Sequence, residues 1–199
     1  MTNTAQSQNQ SHAIHLSIAE AGKLLALKGK HRDALQHYRE ALRLAVSSRA
    51  PEIFFRHYTQ CVLESLELTG DYKEIIEFCT NAESHYAALD LHSSLHRRDR
   101  GSMLERLGLA YLKNEDVEQG QAALEKAREV AGDGVLPITD EVLGWLKRGF
   151  RVDTTRILSS QRKHKYFVVR QGQVDPKRAK PLIGLQKTSL AQSPELFMG

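Results

Sequence analysis

The chain reads as an all-α protein: three successive helix pairs, one further helix that closes the stack, and a basic C-terminal arm. Three observations carry that reading. One short pattern of small, aromatic and aliphatic residues recurs three times along the chain. Glycine falls where two of the pairs would reverse, at Gly29 and Gly70. The apolar residues of 53–68 and 75–91 keep helical spacing over stretches long enough for extended helices.

The clearest copy of the pattern is Leu107-Gly108-Leu109-Ala110-Tyr111, then Asn114-Glu115-Asp116, then Leu124 and Ala127. An earlier copy has Ala21-Gly22, then Gly29-Lys30-His31, then Ala34, Tyr38 and Ala41. The middle copy has residues 63–66, then Gly70-Asp71-Tyr72, then Ile75, Cys79 and Ala82. Each feature has a physical reason. Two helices that cross closely need small residues at the crossing, which Gly22, Gly108, Ala34, Ala41, Ala82 and Ala127 supply. Glycine ends a helix by adopting a left-handed conformation at little cost. Tyr38, Cys79 and Leu124 are placed to fill the space between layers.

These motifs resemble the tetratricopeptide repeat, whose first helix carries L-G-x2-Y and whose second carries A-x3-F. Two departures stand out: Glu115 replaces the turn glycine of the third copy, and Gly120 sits where alanine is usual. The spacing is also long. Gly29 to Gly70 is 41 residues and Gly70 to Glu115 is 45, against a usual period of about 34. The resemblance is therefore to an extended form of the repeat, and it implies a TPR-like α-solenoid.

In chain order, residues 1–13 are polar and read as a disordered leader. Residues 14–150 form the repeat domain. Its first pair is 14–27 and 32–46, and Pro51 opens the next helix. Residues 90–100 are either the end of one helix or the start of the next. The glycines at 132 and 134 end the third pair, and 137–150 form an amphipathic closing helix with Thr139 as its N-cap. Such a lid covers the core face that a terminal repeat exposes. Residues 151–199 are read as an extended basic arm. It carries ten basic and three acidic residues, a net +7, which leaves −3 for the rest of a +4 chain.

Composition excludes several classes. No run of about twenty apolar residues spans a membrane, and the polar N-terminus lacks a secretory core. Cys61 and Cys79 are too few for a disulfide framework, so a cytoplasmic, reduced protein is expected. His85, His92, His96 and Asp99 have spacing that one helix could turn toward zinc. They sit beside repulsive arginines without cysteine or an H-E-x-x-H motif, and read as a solvated face. No phosphate loop, nucleophile elbow or triad spacing is present, so the expectation is no enzyme, no metal and no cofactor.

The resemblance implies a binding surface. It places Lys23, Leu27, His57, Gln60, Glu64, Glu67, Glu105, Arg106 and Leu109 on the concave face. Some members of the family clamp a chaperone's C-terminal carboxylates. Of the positions that would do so here, Ala19, Lys23, Cys61, Ser102 and Arg106, only Arg106 agrees, which argues against that role. The arm offers Arg162, Lys163, Lys165, Tyr166, Phe167 and Val169, with Leu196, Phe197 and Met198 as an apolar anchor. Residues 166–169 are β-favouring and are expected to dock as an extended strand. The function implied is a protein–protein adaptor or assembly factor working within a multiprotein assembly. The alternatives are a peptide-sensing regulator whose basic tail meets nucleic acid, and a secretion-type chaperone.

Overall fold

The computed structural model describes residues 2–88 and 93–182, with side chains from residue 12 onward. Among these residues every regular element is an α-helix and none is a strand. No helix among them is long and apolar enough to cross a membrane. The chain divides into two compact units. Among the described residues one comprises 2–69 with 168–182, and the other 70–88 with 93–167.

The first unit holds α1 (Thr2–Leu27), α2 (His31–Ser47) and α3 (Glu52–Thr69). Because α1 begins at Thr2, the polar stretch expected to be a disordered leader is helical here. In α2 the residues Ala34, Leu35, Tyr38, Ala41, Leu42 and Ala45 recur at helical spacing and are all buried. That stripe packs on α1, and α3 packs on α2. At the α1–α2 crossing, a Cβ built on Gly22 would lie 2.7 Å from the Tyr38 ring. Glycine there lets the tyrosine lie against the α1 backbone.

The second unit holds α4 (Tyr72–Ala88), α5 (Ser94–Lys113), α6 (Val117–Ala131), α7 (Pro137–Lys147) and α8 (Thr154–Lys163). Helices α5 and α6 form its closest pair. A Cβ on Gly108 would meet Leu124 Cγ at 2.6 Å and the Gly120 carbonyl at 2.9 Å, and one on Gly120 would meet Leu112 Cγ at 2.7 Å. The glycine standing where alanine is usual thus completes a two-sided close approach. Glu83 of α4 binds both Arg100 of α5 and Lys126 of α6, tying the three helices together. Leu109, Leu112, Leu124, Ile138, Val142, Leu143 and Ile157 make the core.

Helix ends follow one device. After α1, Gly29 (φ 74°) donates to the Ala26 carbonyl and Lys30 to that of Leu25, the paired bonds of a Schellman cap. After α5 the same pair is made by Glu115 to Leu112 and Asp116 to Tyr111, with Glu115 at φ 66°. The replacement of glycine therefore keeps the left-handed turn and accepts some strain.

Three further expectations about the elements need correction. The helices assigned to the middle pair, α3 and α4, belong to different units. Residues 151–199 are not an arm throughout: α8 is a helix, and its Ile157 is fully buried in the core. Thr139 is not the N-cap of α7; Leu136 occupies that position without a side-chain cap. The histidines read as a solvated face are exposed at His85, on α4, and half-buried at His96, on α5; His92 falls outside the described residues.

Candidate interaction site

In the first unit the chain from residue 168 runs over all three helices without regular structure. Its hydrogen bonds to the helices are given by main-chain amides. The amides of Val168 and Val169 donate to one carboxylate oxygen of Glu64 on α3, at 2.7 and 3.1 Å. The amide of Asp175 donates to Glu20 on α1 at 3.1 Å, and that of Lys180 to the Ser17 carbonyl at 3.1 Å. The amide of Leu182 reaches His37 Nε2 on α2 at 3.4 Å, while His37 Nδ1 lies 2.8 Å from the Asp33 carbonyl. A backbone amide can only donate, so Nε2 accepts from Leu182 and Nδ1 donates to the Asp33 carbonyl. Two turns shape the path, one closed by Gln173 to Arg170 and one by Arg178 to Asp175.

The strand expected at residues 166–169 is therefore absent. A strand needs an open sheet edge, and this unit offers helices, whose backbone groups pair internally. One carboxylate oxygen instead takes two consecutive amides, which a β-strand would point to opposite sides.

Helical periodicity explains why these groups share a face. Glu20 and Lys23 lie three apart on α1 and pair at 2.9 Å. On α3, His57, Gln60, Glu64 and Glu67 recur at three- and four-residue steps. His57 Nε2 lies 3.8 Å from the Cys61 thiol. Burial holds the His57 pKa below its ordinary 6.5, Lys23 lowers it further, and Glu20 opposes. Tyr38 is wholly buried, and its hydroxyl has no hydrogen-bond partner among the described residues. Burial raises its pKa, and Cys61, Glu64 and Glu20 add to the rise.

Beside this face lies a histidine–aromatic cluster. His15 is fully buried, with Nδ1 2.7 Å from the Tyr58 hydroxyl and Nε2 3.1 Å from His12 Nδ1, and its ring meets Phe54 edge-on. Burial lowers its pKa, and His12 lowers it further; burial also lowers that of His31. Between each lowered native value and 6.5 the unfolded chain binds more protons, so stability is full above 6.5 and falls with pH. We expect the thermal midpoint to drop between pH 7 and about pH 5, and His15→Gln to reduce that slope. A flat profile across this range would refute the buried-neutral state of His15.

The residues expected on one surface are distributed as follows. Lys23, Glu64 and Glu67 are buried, His57 and Gln60 half-buried, and Leu27 exposed, all in the first unit. Glu105, Arg106 and Leu109 are buried in the second unit. There Glu105 accepts from the Thr139 amide at 3.0 Å and its hydroxyl at 2.7 Å, Leu109 belongs to the core, and the Arg106 guanidinium lies 5.0 Å over the Tyr166 ring. Burial raises the Glu105 pKa, against its two Thr139 bonds and the nearby Arg106 charge. Phe167 meets Tyr166 edge-on at 5.3 Å. Arg162, Lys163 and Lys165 are exposed, and Lys163 reaches Glu141 at 3.1 Å. The Ser160 hydroxyl, then Lys163 and His164, outweigh burial and hold the Glu141 carboxyl at about 2. Val169 is buried; Leu196, Phe197 and Met198 lie outside the described residues.

Sequence reasoning missed Glu20, Ser17 and His37 as contacts of the tail, and missed α8. Glu20 was findable from its i,i+3 relation to Lys23. For α8 the signal was Asp153 before a run with Ile157, Ser160 and Gln161 on one face; Asp153 does cap it, accepting from the Arg156 amide at 2.8 Å. Among the described residues no group of three or more His, Cys, Asp or Glu is placed to hold a metal ion. No protein-family model, no curated protein and no solved structure matches this chain.

Proposed function

We propose that this chain is a non-catalytic adaptor or assembly factor of the TPR-like kind, which binds an extended segment of a partner protein. The observation that carries the reading is the grip on residues 168–182. Glu64, Glu20, His37 and the Ser17 carbonyl accept five main-chain amides of an irregular segment. Main-chain hydrogen bonding with a few buried side chains is how proteins hold extended peptides. The glycine crossings at Gly22 and Gly108 and the layer-filling Tyr38, Cys79 and Leu124, all fully buried, support the repeat resemblance. The two buried free cysteines suit a reducing, cytoplasmic setting.

A second reading rests on a separate observation. Arg156 lies 4.5 Å over the Trp145 ring and 5.1 Å over that of Phe150, Arg148 also stacks on Phe150, and Phe150 is 46% exposed. Arginine and exposed aromatic rings together suit a nucleic-acid backbone and its bases, as in a regulator with a basic tail. Affinity capture with the full chain from its native host separates the two. A protein retained at high salt supports the adaptor. Nucleic acid that is lost at high salt, with no protein retained, replaces it with the regulator.

A further inference from the structure

The segment that lies on the α1–α3 face has the features of a bound peptide more than those of a packed element. Five of its amides are accepted by the helices, yet among the side chains of residues 168–182 only Val169 is buried. Its four basic side chains, Arg170, Lys177, Arg178 and Lys180, are exposed. Its other apolar side chains, Val168, Val174, Ala179 and Leu182, are half-buried, so main-chain bonds and a modest apolar area hold the segment, and it opens more readily than the helices of the core.

The face beneath is chemically unlike a core. Glu64 is 4% exposed, and a buried carboxylate is costly unless donors reach it. The two amides of residues 168 and 169 contribute to meeting that need. The grip reads backbone amides, so another chain with amides in the same places can make the same bonds, against the advantage that tethering gives the attached segment.

We propose that residues 168–182 are an intramolecular pseudo-ligand that closes the α1–α3 face, and that the partner displaces them. This rests on the adaptor reading and names its regulation. The partner chemistry is an irregular segment with a bend that turns two consecutive amides toward Glu64, a β-branched apolar residue at the Val169 place, and further amides for Glu20 and the Ser17 carbonyl. Basic side chains flanking these points are tolerated, because the intramolecular occupant directs its own to solvent.

The test uses the full chain and a labelled synthetic peptide of residues 168–182. Val169→Asp sets a negative charge beside Glu64 and should release the segment. An attached occupant acts at a high effective concentration, so the wild-type chain should bind the added peptide poorly. The variant should bind it at least ~10-fold more tightly, and adding Glu64→Ala to the variant should remove that gain. Hydrogen exchange at the amides of 168 and 169 should quicken in the variant while helicity stays at the wild-type level. Asp175→Pro, which deletes the amide given to Glu20, should act in the same direction. Equal peptide affinity in wild type and variants, no binding by a helical variant, or unfolding of both variants would overturn the proposal and make the segment a fixed part of the fold. A wild-type dimer in sedimentation that Val169→Asp dissolves would also overturn it, with a second copy as occupant. The adaptor reading fails separately, if neither wild type nor released variant retains any protein in the capture experiment.

Discussion

Gly108→Leu should lower stability by more than about 2 kcal/mol, the cost of forcing extra atoms into a packed crossing. For a chain of this size that is a fall in thermal midpoint of roughly 4–8 °C. The reason is local and two-sided. The first added carbon would stand 2.6 Å from Leu124 Cγ and 2.9 Å from the Gly120 carbonyl. Leu124 is fully buried and the other neighbour is backbone, so neither can yield without moving a helix. Gly144→Ala is the internal control. Its Cβ would meet nothing closer than the Arg148 guanidinium at 3.9 Å, so it should stabilise α7 by about 0.5–1 kcal/mol through helix propensity. Thermal melts of both variants decide the matter. A Gly108→Leu midpoint equal to that of the parent would show that α5 and α6 do not cross there.

Glu105→Ala should cost about 2 kcal/mol, in the range for removing a charged acceptor from buried donors. It would strand the amide and hydroxyl of Thr139, which is fully buried. The first turn of a helix leaves its amides unpaired, and α7 has no side-chain cap of its own. Glu105 of α5 performs that task across the core, where a carboxylate also suits the positive end of the helix dipole. Glu105→Gln keeps one acceptor oxygen and should lose roughly half as much. The outcome also separates two roles for Glu105. If the alanine variant melts as the parent does but fails to capture a partner, Glu105 is a contact residue and not a cap.

Helical class, most helix positions and the close crossings were legible in the sequence because they depend on neighbours along the chain. Helical spacing of apolar residues exposes a stripe, and that stripe must be buried whatever it meets. The spacing of Ala34, Tyr38 and Ala41, and the glycines at 22 and 108, answer to the same local geometry. The left-handed turn at Glu115 was also foreseeable, since its place after α5 matches that of Gly29 after α1.

The site was legible only in part. His57, Gln60, Glu64 and Glu67 could be placed on one face of a helix, because three- and four-residue steps do that anywhere. Their occupant could not be found that way. Glu64 meets residues 168 and 169 across more than a hundred positions of chain, and no periodicity links such distant points. The same holds for Glu105, which the resemblance places on the concave face but which becomes a cap once α7 reaches α5. Residues 166–169 show the limit most clearly. Their β-branched and aromatic character states a preference for extended backbone, and the backbone beyond α8 is indeed irregular. What it pairs with was decided by the tertiary structure, which supplied helices with a carboxylate between them in place of a sheet edge. Local sequence sets which conformations are cheap; the donors and acceptors that long-range packing brings within reach decide which of them is used.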